Sequence, residues 1–230
     1  MKLRKKFTRE EKKLLAHFLG MLLGDGGISI HKTAGKRGKD YEIYFVQKHK
    51  EAVIYFSFLV DKLFDIKGKV EQRKDGIFRY RIRSNKKFEN YLRNNIKKFL
   101  GMIEENMELS IEFLRAFYGC EGSFHWENTK GYIEITNKNT EIIELISRIL
   151  KRLNIHHNTY VWDNAYHLRI FRFKDIEKFI KRVGTLDVFV ISRGKFKEMR
   201  KSDVFQLFLN SRTLSVNCPS SQPSGLEVRL

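Results

Sequence analysis

The chain states one pattern twice, and that duplication restricts what it can fold into. Tyr41-Glu-Ile-Tyr-Phe-Val-Gln-Lys-His-Lys-Glu51 aligns without gaps onto Gly131-Tyr-Ile-Glu-Ile-Thr-Asn-Lys-Asn-Thr-Glu141 at an offset of 90 residues. Each stretch alternates apolar and polar residues, then changes to helical spacing, so each reads as a strand running into an amphipathic helix. Gln47 falls over Asn137, Lys48 over Lys138 and Glu51 over Glu141. The apolar stripe continues with Val53 over Ile143, Phe56 over Ile146, Leu59 over Ile149 and Leu63 over Leu153. A strand pair follows in both copies, 69–73 with 78–83 around Asp75-Gly76, and 158–162 with 166–171 around Asp163-Asn164. Asp-Gly between alternating strands is a strong hairpin signal, and Asp-Asn a weaker one. Helices near 86–98 and 175–183 close the copies. The order helix, hairpin, helix, hairpin, helix therefore occurs twice, as an internal duplication requires.

At the head of each copy stands a segment of different character. The first is His17-Phe-Leu-Gly-Met-Leu-Leu-Gly-Asp25-Gly-Gly27, the second Glu112-Phe-Leu-Arg-Ala-Phe-Tyr-Gly-Cys-Glu121-Gly-Ser123. Setting Asp25 over Glu121 places Gly20 over Ala116 and Gly24 over Cys120. Small residues four apart share one helix face, and such faces let two backbones approach closely. The two helices are expected to pack on each other. Each would end at an acid followed by Gly26 or Gly122, free to take the turn that terminates a helix. A carboxylate at that end opposes the helix dipole, and two of them side by side call for a compensating cation. Oxygen ligands suit Mg²⁺ or Mn²⁺. The candidate metal residues are Asp25 and Glu121, with their neighbours Gly24 and Cys120 counted beside them.

Charge points to a polyanionic partner. Forty-five Lys and Arg stand against 27 Asp and Glu, a formal net charge of +18. An excess of that size repels itself and commonly answers nucleic acid, where cationic side chains release condensed counterions. Two cysteines, Cys120 and Cys218, are too few for a disulfide framework or a cysteine-rich zinc site. Apolar runs are too short to span a bilayer, and the basic start lacks a secretory signal, so an intracellular protein with no membrane partner is expected.

Phe18-Leu-Gly-Met-Leu-Leu-Gly-Asp-Gly26 and Leu114-Arg-Ala-Phe-Tyr-Gly-Cys-Glu-Gly122 resemble the two copies of the LAGLIDADG motif. About 10–185 is similar to the single-chain, two-motif homing endonucleases of the archaeal intron-encoded type. The resemblance implies an α+β fold of two pseudo-twofold αββαββα halves, with saddle-shaped antiparallel sheets and the two motif helices packed at the centre. It implies a staggered double-strand cut in a long DNA target, made by divalent-metal-dependent hydrolysis at the motif acids. Gln47, Lys48, Asn137 and Lys138 fall where the family keeps polar and basic residues beside the metals, with implied roles in orienting water and stabilising the phosphate. Ser123-Phe-His-Trp126 lacks the early lysine that some relatives place there, which leaves Lys130 or Lys138 for that part.

The candidate DNA-reading residues lie on the strands and one loop. They are Gln72, Arg73, Arg79, Arg81 and Arg83 in the first half, and Tyr160, Trp162, His167 and Arg169 in the second. Arg79, Arg81 and Arg83 alternate, so they share a sheet face. Arg suits guanine edges and Gln adenine. The loop 31–39 adds Lys32, Lys36, Arg37 and Lys39, and it accounts for the motif acids being 96 apart while the following strands are 90 apart. The expected partner is double-stranded DNA. The family also contains proteins that bind intron RNA as maturases, and catalytically silent DNA-binding regulators, and these are the alternatives. Two fused halves remove the need for a homodimer, so a monomer is expected. The expected domains are 1–100, 101–200 and an extension 201–230, with a short helix over 201–209 and disorder over 210–230.

Overall fold

A capping box starts the first helix: the Thr8 hydroxyl accepts from Glu11 N at 3.2 Å, and the Glu11 carboxylate accepts from Thr8 N at 3.0 Å. The computed structural model describes residues 6–32, 39–83, 85–127 and 130–216. The first half runs α1 (Arg9–Leu23), β1 (Gly26–Lys32), β2 (Lys39–Gln47), α2 (Lys50–Phe64), β3 (Lys69–Gln72), β4 (Phe78–Arg83) and α3 (Lys86–Glu105). The second repeats it as α4 (Met107–Glu121), β5 (Gly122–Glu127), β6 (Lys130–Asn137), α5 (Thr140–Arg152), β7 (Asn158–Trp162), β8 (Ala165–Ile170) and α6 (Phe173–Arg182). A further helix, α7 (Lys201–Val216), follows. The strands form two four-stranded antiparallel sheets of matching order, β1-β2-β4-β3 and β5-β6-β8-β7.

Each sheet has a core face and an outer face. Ile43, Phe45, Tyr80 and Ile82 are buried in the first, Ile133, Ile135, Leu168 and Ile170 in the second. The helical stripe that matched between the copies covers them: Val53, Phe56, Leu59, Leu63, Ile143, Ile146, Ile149 and Leu153 are all buried. Phe56 stacks on Phe45 with centroids 4.7 Å apart and meets Tyr80 edge-on at 5.5 Å. Each such side chain contributes roughly 1.5–3 kcal/mol through burial.

Turn chemistry sets the registers. Gly76 has φ +81°, closing the β3–β4 hairpin, while Asp163 and Asn164 both have φ near +55°, the left-handed pair of a two-residue hairpin. The weaker of the two sequence signals thus gives the tighter turn.

Four boundaries differ from the sequence expectation. His31 and Lys32 belong to β1 and Lys39 to β2, with Lys32 paired to Lys39, so the expected loop 31–39 shrinks to its middle. Lys36 and Arg37 lie outside the described residues. The helix expected near 86–98 continues as α3 to Glu105, beyond the boundary drawn at residue 100, and Asn106 joins the halves. Asn106 ends α3 and caps α4, its side chain accepting from Leu109 N at 3.2 Å. α7 also continues past Asn210 to Val216, because Val204, Phe205 and Phe208 form a buried stripe that holds it to the second half. The expected disorder therefore does not apply to 210–216, and 217–230 fall outside the described residues. Among the described residues no helix is long and apolar enough to cross a membrane.

Candidate active site

α1 and α4 pack along their small-residue faces. A Cβ placed on Gly20 would stand 2.6 Å from Phe113 O and 2.9 Å from Ala116 Cβ, and one on Gly24 would stand 2.5 Å from Cys120 Cβ. The pairs Gly20/Ala116 and Gly24/Cys120 are thus the contact itself. Farther along, His17 bridges the halves, with Nε2 2.7 Å from Glu112 and Nδ1 2.6 Å from the Tyr55 hydroxyl. The glycines after the acids serve sterics rather than a left-handed turn, which corrects the sequence expectation. Gly122 ends α4 with φ −89°, and a Cβ there would enter the Tyr118 ring at 2.0 Å. A Cβ on Gly26 would stand 2.8 Å from the Leu22 backbone.

This packing brings Asp25 and Glu121 to the same end of the helix pair, each held by the amide at the end of its own half's central strand. Gln47 Nε2 donates to Asp25 Oδ2 at 2.5 Å, and Asn137 Nδ2 donates to Glu121 Oε1 at 2.9 Å. The amides are themselves fixed: Gln47 Oε1 accepts from Lys48 N at 3.1 Å and Asn137 Oδ1 from Asn139 N at 2.8 Å. Lys48 and Lys138 follow directly and are exposed.

Burial disfavours both charges. It raises the Asp25 carboxyl above its ordinary value against the hydrogen bond from Gln47. Burial, followed by the nearby charge of Asp25, pushes Glu121 up to about 7. Burial beside Asp25 also drives the Cys120 thiol well upward, so it stays protonated. Two half-buried carboxylates, one of which raises the proton affinity of the other, form an acceptor for positive charge. Among the described residues no group of three or more His, Cys, Asp and Glu side chains is placed to hold a metal ion. The pair of carboxylates alone fits Mg²⁺, which commonly takes one or two carboxylates and completes its shell with water and phosphate oxygens.

One charged group here was absent from the sequence reading. Lys201, the first residue of α7, donates from Nζ to the carbonyls of Gly122 at 2.6 Å, Gly119 at 2.7 Å and Tyr118 at 3.3 Å. Loss of water around it lowers its ammonium to about 8, while the charges of Asp25 and Glu121 act to hold the proton on. Lys130, one of the two lysines considered for this end of the site, pairs with Glu127 at the far tip of the β5–β6 hairpin, away from Glu121. Sequence offered one hint of Lys201: Val204, Phe205 and Phe208 mark an apolar helical face that must pack on something.

The outer faces of the sheets carry most of the other candidates. Arg79, Arg81 and Arg83 do share one face, and each faces an acid: Arg79–Glu42 at 2.8 Å, Arg81–Glu71 at 2.8 Å, Arg83–Glu42 at 3.6 Å. Gln72 does not join them. Its cross-strand partner is Phe78, on the opposite face, and it bonds Gly76 O within its own hairpin. Arg73 is exposed beyond β3 and pairs with Asp75 at 3.0 Å. In the second sheet Tyr160, Trp162, His167 and Arg169 come together. Arg169 lies over the rings of Trp162 at 4.5 Å, Tyr132 at 5.0 Å and Tyr160 at 5.8 Å, and bonds Glu134 at 2.8 Å. His167 stacks on Trp162 with centroids 3.4 Å apart.

A WhiA LAGLIDADG-like domain profile matches residues 15–108, and a LAGLIDADG-like domain profile matches 108–184. The chain carries two LAGLIDADG-like domains. The two matched segments meet at residue 108, in the first turn of α4. It is 28% identical over 176 residues to the homing endonuclease I-DmoI of Desulfurococcus mucosus, covering 73% of this chain and 86% of that protein. The structure of I-DmoI in complex with DNA and Mn superposes with a TM-score of 0.61 at 26% identity, over 76% of this chain and 98% of that one. The N-terminal LAGLIDADG domain of DUF199/WhiA shares the fold, with a TM-score of 0.54 at 18% identity, over 80% of this chain and 95% of that one.

Proposed function

We propose that this LAGLIDADG protein is a site-specific DNA endonuclease that makes a staggered double-strand cut by divalent-metal-dependent phosphodiester hydrolysis. The observation that carries the reading is the pair of matched couples, Asp25 with Gln47 and Glu121 with Asn137, at the shared end of two packed helices. One acid per half suits one cut per strand. The structures of I-DmoI with DNA and Mn, and with its target DNA in the presence of Mg, support the same assignment.

Asp25 and Glu121 would hold Mg²⁺ or Mn²⁺. When bound, such a cation supplies charge neutralisation at the phosphate and lowers the pKa of an attacking water. Gln47 and Asn137 fix the direction of the carboxylates, since each amide is locked by its own backbone contact. Lys48 and Lys138, exposed beside the acids, meet the phosphates of the two strands and offset charge that builds up there. Arg79, Arg81 and Arg83 on one sheet, and the aromatic group around Arg169 on the other, face the grooves of double-stranded DNA. The two halves act as one monomeric body, and α7 belongs to the second.

A plasmid-library cleavage assay tests this. The wild type with Mg²⁺ or Mn²⁺ should linearise plasmids at one site, and Asp25→Asn and Glu121→Gln should each lose about 100-fold or more of cleavage while still binding. A second reading, a DNA-binding regulator that does not cut, is favoured by the match of the WhiA profile to 15–108. DNA binding by the wild type with no cleavage under any divalent ion would select that reading and reject the nuclease.

A further inference from the structure

The C-terminal extension reaches the acid pair by a fixed route. The Phe189 ring occupies the space left at Gly119, where a Cβ would lie 2.1 Å from it, and Phe196 stacks on Trp126 with centroids 5.6 Å apart. Lys201 N donates to Phe189 O at 3.0 Å, and beyond it Val204, Phe205 and Phe208 enter the core. Lys201 is therefore pinned on both sides. Its stem carries the ammonium to the carboxyl end of α4, over the Tyr118 ring at 5.3 Å.

Lys201 brings its ammonium to three carbonyls at the end of α4: Gly119 O in the last turn, Gly122 O at the cap, and Tyr118 O, which also accepts from Gly122 N. A cap of this kind could be made by any donor. Here it is a cation, and it stands at the helix end that carries Glu121, where its charge acts on Glu121 and across the helix pair on Asp25. Resting on the reading of these acids as the metal-holding pair, we propose that Lys201 is a positioning residue of that centre: a resident cation, delivered by the C-terminal extension, that fixes the end of α4 and offsets the acid pair until a divalent ion arrives. The extension is then a working part of the site rather than an appendage.

A resident cation opposes an incoming one. Removing its charge while keeping a donor for the carbonyls should tighten metal binding, an effect that a cap alone would not produce. The test is calorimetric titration of the full chain with Mn²⁺ at pH 7, with circular dichroism to confirm folding. Lys201→Gln is expected to bind Mn²⁺ about three- to tenfold more tightly than the wild type, and Lys201→Arg within about twofold of it. Unchanged or weaker binding by a folded Lys201→Gln overturns the proposal and leaves a helix cap. If that variant does not fold, Phe196→Ala, which loosens the segment against Trp126, should shift Mn²⁺ affinity in the same direction, and no shift overturns the proposal equally. Asp25→Asn separates the two levels. Wild-type binding that Asp25→Asn abolishes but Lys201→Gln leaves unchanged rejects this inference alone. No Mn²⁺ binding by the wild type rejects the metal reading and this inference with it.

Discussion

Glu121 shows how a site residue can work against its own fold. Its carboxyl is pushed up to about 7 from an ordinary 4.5, so the folded chain holds that proton more tightly than the unfolded chain does. The associated stability is complete below about 4.5 and is lost as pH rises through about 7, on the order of 2 kcal/mol. Without metal, Glu121→Gln should therefore melt about 4–8 °C above the wild type at pH 8 and close to it at pH 4. Saturating Mn²⁺ should raise the wild-type melting temperature and leave that of the variant nearly unchanged, which differential scanning calorimetry would measure. Asp25, Glu121, Gln47 and Asn137 were readable as a group because duplication marks equivalent positions twice. Lys201 has no counterpart in the repeat. Its place depends on how α7 docks, and no local pattern encodes that.

At the scale of elements, the repeated parts followed from periodicity and turn chemistry, and the errors fell where packing overrides pattern. Polar strand composition groups Gln72 with Arg79, yet pairing with Phe78 puts it on the other face. One residue of register decides such a case, and composition does not carry register. The polar residues after 209 predict a short helix over 201–209, although its buried aromatics anchor a helix that runs to Val216. Phe208→Ala should then cost about 3–5 kcal/mol in chemical denaturation, since the ring packs on Phe124 at 5.0 Å and Trp126 at 5.5 Å. The α1–α4 seam is less forgiving. Gly20→Val would press on the backbone of α4, which cannot rotate away, and should destabilise by about 2 kcal/mol or more. A Gly20→Val protein with wild-type stability would show that the helices do not meet there.

For the whole molecule, the charge of +18 is distributed differently from the sequence impression of one Arg-lined reading surface. Glu42 and Glu71 face the arginines of the first sheet, and Glu134 with three rings encloses Arg169 in the second. On the proposed reading, DNA must share or displace these acids to reach the guanidinium groups. Glu42→Gln should accordingly strengthen binding to random-sequence DNA, read by fluorescence anisotropy, and an unchanged affinity would place Arg79 and Arg83 outside the interface. The fold class was legible because duplication, hairpins and small-residue helices agreed, but these internal pairings required the structure. Asn106 sets a different kind of limit. With one residue ending α3 and starting α4, the molecule works as a fixed gauge and has no adjustable arm. An added base pair displaces the second half-target by about 3.4 Å and turns it around the helix axis. Under the proposed endonuclease reading the duplex, not the protein, must then twist to fit, so the allowed separation of half-targets is written into the length of that joint.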